Sequence, residues 1–126
     1  MNMEGQMSIQ NYKELIVWQK AMDFAQEVYQ ISKLFPLEEL YSLTNQLRRA
    51  AISVPSNIAE GRCRYSKSEF KQFLSIAHGS LAEAETQILM AIRLKYINEI
   101  QANKALCLYE EIGKMLVTLH QKIVTP

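Results

Sequence analysis

The chain of 126 residues is poor in several residues that mark common protein classes: it has four glycines, three prolines, two cysteines and one tryptophan. So few glycines and prolines exclude a loop-rich all-β chain, which needs a tight turn about every ten residues. Cys63 and Cys107 stand far apart with no C-x-x-C pair, so neither a disulfide framework nor a zinc site is written here. A reducing cytoplasm is the expected home. Every window of about 18 residues is interrupted by Lys, Arg, Asp or Glu, so no membrane-spanning segment is expected. An excess of one charge is also missing. With 14 basic and 13 acidic residues the formal net charge is +1, which argues against strong non-specific nucleic-acid binding by a single copy.

What is present is hydrophobic residue at 48%, enough for one domain core and too little for two. Residues 1–11 carry Glu4 and no continuous apolar run, so a disordered tail is expected there, followed by one domain over residues 12–126. Tyr12 to Phe35 lacks Gly and Pro and carries two apolar stripes at helical spacing. One runs through Leu15, Trp18, Met22, Ala25 and Tyr29, the other through Val17, Ala21, Phe24, Val28, Ile31 and Phe35. Pro36 ends this helix. A second helix carries Leu40, Leu43, Leu47, Ala50 and Val54, with a kink expected near Pro55 and a left-handed Gly61 closing it. Ser66 and Glu69 form a capping box for a third helix, whose stripe of Phe70, Leu74, Ala77, Leu81, Ala84, Ile88 and Ala91 runs to about Lys95. Gly79, among small neighbours, suggests a close helix contact there. Asn98 and Gln101 cap a fourth helix with seams through Ala105, Leu108, Ile112, Met115 and Leu119 and through Leu106, Tyr109, Gly113, Leu116 and Ile123.

Short connections make sequential helices neighbours, so the expected fold is all-α: an antiparallel up-and-down four-helix bundle. Doubled apolar seams on the first and fourth helices exceed what one small core consumes, which predicts a homo-oligomer.

Catalytic chemistry finds little support. The residues three before His78 and His120 are Ser75 and Val117, so the Glu-x-x-His ligands of a di-iron bundle are missing. HExxH, Walker A and G-x-S-x-G patterns do not occur, and no catalytic, cofactor-binding or metal residue is assigned. Gln46, Asn57, Glu60, Ser80 and Glu83, near Arg49, fall on the seam between the second and third helices. They read as a buried polar network that fixes helix register. The informative charge feature is Arg48 to Lys71, where Arg48, Arg49, Arg62, Arg64, Lys67 and Lys71 face only Glu60 and Glu69, a local excess of four positive charges. Tyr65 and Phe70 are interleaved with these bases, as stacking on RNA requires.

The motifs Val17-Trp18-Gln19-Lys20-Ala21, Phe35-Pro36-x-x-Glu39, Leu43-Thr44-x-Gln46-Leu47-Arg48-Arg49-Ala50-Ala51, Ser53-Val54-Pro55-Ser56-Asn57-Ile58-Ala59-Glu60-Gly61 and Phe73-Leu74-x-Ile76-Ala77-x-Gly79-Ser80-Leu81-x-Glu83 occur in order. Together they resemble the four-helix bundle family of proteins encoded in 23S rRNA intervening sequences. That family is similar to the accessory variability determinant of diversity-generating retroelements, a barrel-shaped homopentamer that binds nucleic acid and a reverse transcriptase. The resemblance implies a bundle assembling into a pentameric barrel, with structured RNA or a reverse transcriptase as partners and no active site. The alternative is an oligomeric protein-protein interaction scaffold free of nucleic acid.

Overall fold

The computed structural model describes residues 11–125. The tail expected over residues 1–11 therefore lies, apart from Asn11, outside the described residues. The first apolar pattern folds as a short 3-10 turn, Tyr12–Glu14, and helix α1, Ile16–Ser32. Of its two stripes the one through Val17, Ala21, Phe24, Val28 and Ile31 is buried, with Phe35 extending it. Met22 and Tyr29, on the other, remain exposed.

The second helix starts later than its apolar spacing suggests. A 3-10 turn at Leu37–Glu39 and a π-helical turn at Leu40–Thr44 precede α2, Asn45–Arg62. Ser42 breaks the helical backbone at φ −125° and ψ −107°. Glu39 holds the break in place: its carboxylate accepts the Leu43 amide at 3.3 Å and the Tyr96 hydroxyl at 2.6 Å. The bond to Glu39 raises the Tyr96 phenol above its ordinary pKa. Pro55 does not end α2. It removes the amide that would bond the Ala51 carbonyl, yet fully buried Val54 and Ile58 hold both sides of it in the core and the helix runs on.

Helix α3, Lys67–Arg93, begins at Ser66, whose hydroxyl accepts the Glu69 amide at 3.2 Å. Only half of the expected capping box is found, since Glu69 turns its carboxylate to Arg64 at 3.7 Å. At the far end Lys95 takes the left-handed conformation at φ 65°, where a glycine would be usual. The Lys95 and Tyr96 amides then bond the carbonyls of Ile92 and Ala91, which closes the helix. Helix α4, Glu99–Lys122, carries the complete capping box of Asn98 and Gln101.

Among the described residues these four antiparallel helices pack in the ring order α1, α2, α3, α4, with the α2–α3 contact the most extensive. Phe24, Leu47, Ile58, Leu74, Leu81, Ile88, Ile112 and Leu116 fill the centre. Each stabilises by about 2 kcal/mol through burial. The glycines behave differently from expectation. Gly61 has no positive φ and sits inside α2, where a Cβ would meet the Cβ of Phe73 at 2.6 Å. Its role is close approach of α2 to α3. Gly79, expected at a tight contact, is exposed with nothing within 4 Å of an added Cβ.

These two sites predict opposite outcomes. Gly61→Ala should lose about 1–3 kcal/mol, because a backbone-anchored Phe73 Cβ cannot swing away. Gly79→Ala should gain up to about 1 kcal/mol of helix propensity at no steric cost. Urea unfolding midpoints of the two variants test this; equal shifts would refute it.

Candidate functional site

The six basic residues that stand together in sequence are separated by the fold. Arg48 and Arg49 lie at the start of α2, and Arg62, Arg64, Lys67 and Lys71 lie at or beyond its end, about 20 Å away along the helix axis. Arg48 is a structural residue. It is half-buried, its Nε donates to the Ser32 hydroxyl at 2.8 Å, and its guanidinium stands 4.9 Å from the centre of the Tyr29 ring. It therefore ties α2 to α1.

At the other end, the α2–α3 turn forms a basic tip. Tyr65 at its apex is fully exposed, touching no core residue. Arg62 stands 6.0 Å from the Phe70 ring centre and Arg64 4.9 Å from that of Phe73. Arg64 is also flanked by Glu60 at 3.6 Å and Glu69 at 3.7 Å, which offset its charge. Lys67 is exposed and Lys71 half-buried. The antiparallel topology brings the start of α1 and the end of α4 to this same end, with Lys13 and Lys122. Sequence reasoning missed both because they lie about 50 residues from the turn on either side, and only the up-down order of four helices predicts their company.

The expected buried network between α2 and α3 is a cleft on the outer flank of their contact. The hydrophobic seam of Ala50, Val54, Ile58, Ala77, Leu81 and Ala84 closes behind it. Gln46, Arg49, Ala50, Ser53, Ser80 and Glu83 line a volume of about 390 Å³. The Ser53 and Ser80 hydroxyls bond at 2.8 Å across the two helices, and Asn57 Nδ2 donates to the Ser53 hydroxyl and carbonyl, each at 2.8 Å. Gln46 and Glu83 are exposed, Ser80 and Asn57 half-buried. Glu60 does not join them, because it lies a turn further on and pairs with Arg64. The buried reading is thus corrected: small residues on both helices draw the backbones together and push the polar flank to the surface. Ser53 was missed, although its spacing of four before Asn57 puts the two on one face.

A second cleft, of about 410 Å³, lies between α3 and α4 and is lined by His78, Tyr109, Glu110, Gly113, Lys114, Val117 and Thr118. Burial, then a bond to Glu85, raises the Tyr109 phenol above its ordinary pKa. Among the described residues no group of three His, Cys, Asp or Glu is placed to hold a metal, and no helix is long and apolar enough to cross a membrane.

The family model described as 23S rRNA-intervening sequence protein matches residues 13–118. The chain belongs to that family. Its match reaches all four helices and includes the α2–α3 turn and the α2–α3 cleft. A solved structure of similar shape comes from Bacteroides thetaiotaomicron VPI-5482, a protein with unknown function from the S23 ribosomal protein family. It is 26% identical, has a TM-score of 0.77, and covers 85% of this chain and 100% of its own. No curated protein gives a significant match.

The Arg48 and Arg64 contacts should differ sharply in weight. Arg48→Ala should destabilise by about 1–2 kcal/mol through the lost stacking and bond, and Arg48→Lys should restore little, because an ammonium cannot reproduce the planar stack. Arg64→Ala should cost under about 1 kcal/mol, as exposed pairs do. Thermal unfolding of the three variants reads the difference.

Proposed function

We propose that this family member is a non-enzymatic, homo-oligomeric accessory protein that presents the basic tips of several copies to structured RNA in the cytoplasm. The observation that carries this reading is Tyr65, fully exposed at the apex of the α2–α3 turn, with Arg62, Arg64, Lys67 and Lys71 around it. A tyrosine without apolar neighbours gains nothing for the fold. On an unpaired base it supplies a stacking face, while the bases around it neutralise phosphates. One tip carries few charges, and that of Arg64 is offset by two glutamates, so a useful affinity requires several copies acting together.

Self-association is supported by apolar side chains left on the outside of the bundle. Met22 and Tyr29 of α1, Ile76, Leu89 and Met90 of α3 and Val117 of α4 are all exposed. A pentameric barrel is our proposal for the assembly, on the likeness to the retroelement accessory determinant. A reverse transcriptase is the protein partner that the same likeness suggests. The family name refers to an rRNA context, which agrees with an RNA partner.

The scaffold reading is favoured by one specific observation. Arg48 and Arg64, a third of the basic residues counted in the sequence segment, are already engaged within the protein. An oligomer with weakly basic tips that binds only proteins would have this appearance.

Two measurements separate the readings. Light scattering should give a mass several times the 14.5 kDa of one chain at micromolar concentration; a monomer would overturn the assembly. In a gel-shift titration, a structured RNA hairpin should be retarded at about 50 mM salt and released by about 200 mM. Lys67→Glu with Tyr65→Ala should abolish the shift without changing the mass, since neither side chain is in the core. If the wild type ignores RNA at low salt, or the double variant binds as well, the scaffold reading stands.

A further inference from the structure

The α2–α3 cleft has a composition that neither the RNA reading nor the bundle explains. Arg49 and Glu83 line the same 390 Å³ and yet form no ion pair with each other. Among the described residues the side chains of Arg49 and Gln46 make no ion pair or hydrogen bond within the protein. Glu83 receives only a long bond of 3.5 Å from Gln87. Arg49 and Glu83 both lie at exposed positions, so without a ligand each charge is met by water and not by the other across the cleft.

The serine pair adds a directed donor. Ser53 and Ser80 share one hydrogen bond at 2.8 Å, and Ser53 already accepts from Asn57. Two hydroxyls carry two protons, and their mutual bond uses one. The other has no protein acceptor, and whichever serine keeps it lies on the cleft wall. The floor at Ala50 is a buried methyl group. The cleft therefore offers the Arg49 guanidinium and the Gln46 amide as donors on the α2 wall, the Glu83 carboxylate on the α3 wall, and one free hydroxyl proton on the serine pair between them.

We propose that this cleft binds a small zwitterion of the α-amino-acid class, with its carboxylate on Arg49 and the free serine hydroxyl and its ammonium on Glu83. The alternatives fit less well. An isolated anion such as phosphate would meet the Glu83 carboxylate, and an isolated cation would meet Arg49. A divalent metal would find one carboxylate where oxygen-ligated sites use several ligands. A nucleobase would find no aromatic ring to stack on, since none lines the cleft. A volume of about 390 Å³ falls at the lower end of the range for small-molecule sites and leaves room for the ligand's side chain. The cleft centre lies about 20 Å along α2 from the tip, so the proposal does not depend on RNA binding.

The test is a titration of the full-length 15N-labelled protein with glycine, L-alanine and L-glutamine, each beside acetate and methylammonium as half-ligands. The expected result is saturable shifts of the backbone amides over 49–53 and 80–84 for at least one amino acid, with each half-ligand at least about ten-fold weaker. Arg49→Gln and Glu83→Gln, both at exposed positions, should each weaken that binding about ten-fold or more while leaving the helical spectrum intact. No saturable shift up to about 20 mM would overturn the proposal. Acetate binding as well as the amino acids would make this an anion site and overturn it also. If the two variants change the oligomer mass while amino-acid shifts persist, the two charges belong to an interface with a second copy and the proposal falls.

Discussion

Between Gly61 and Phe73 there is no room for a methyl group, and this close approach sets the position of everything on the α2–α3 side of the bundle. Where α2 presents Gly61 and α3 presents the base of Phe73, the two backbones come together, with Ala50 and Ala51 on one helix and Ala77 and Ala84 on the other continuing the small-residue seam. Small residues allow two helices to pack at short distance with dense contact. The turn that joins them is correspondingly tight. Its arginines fold back over Phe70 and Phe73, and its one large side chain without a place in the core, Tyr65, is pushed out into solvent.

The same constraint creates the cleft. When the apolar ridge closes at short range, the next positions around each helix cannot enter the core and face each other along its flank. Ser53 and Ser80 are near enough to bond directly, and the Asn57 amide donates to the Ser53 hydroxyl. One turn away the longer side chains of Arg49 and Glu83 line the same cleft without bonding to each other. Polar residues at such positions contribute modestly to stability, because water competes for them. Their value lies in the geometry, a set of groups held at fixed spacing by two rigid helices. Arg48, one residue from Arg49, points a hundred degrees round the helix and serves α1 instead.

Much of this was legible in the residues. Spacings of three and four gave four helices and their order, and the Asn98–Gln101 box marked a helix start, while the first helix, expected to run to Pro36, ends at Ser32. The misplaced features share a cause. Leu40 and Leu43 fit the helical period, yet Glu39 and Tyr96, from elements far apart in sequence, hold a π-helical turn there. Gly61 suited a left-handed cap by its position after Glu60, and Gly79 suited a close contact by its small neighbours. The assignments are reversed because what a glycine does depends on which side chain faces it from another helix. Glu60 fell on the polar stripe with Asn57, but Arg64 competes for it.

By itself the sequence determined the class of fold, the family and the residue types available for function, because helical periodicity and motif spacing are local properties of the chain. Tertiary structure alone decided which of two apolar stripes on α1 is core, which basic residues share an end of the bundle, and which polar residues are left to solvent. Those are matters of what stands opposite a side chain. In an antiparallel bundle that partner comes from another helix, dozens of residues away, and no spacing along one helix specifies it.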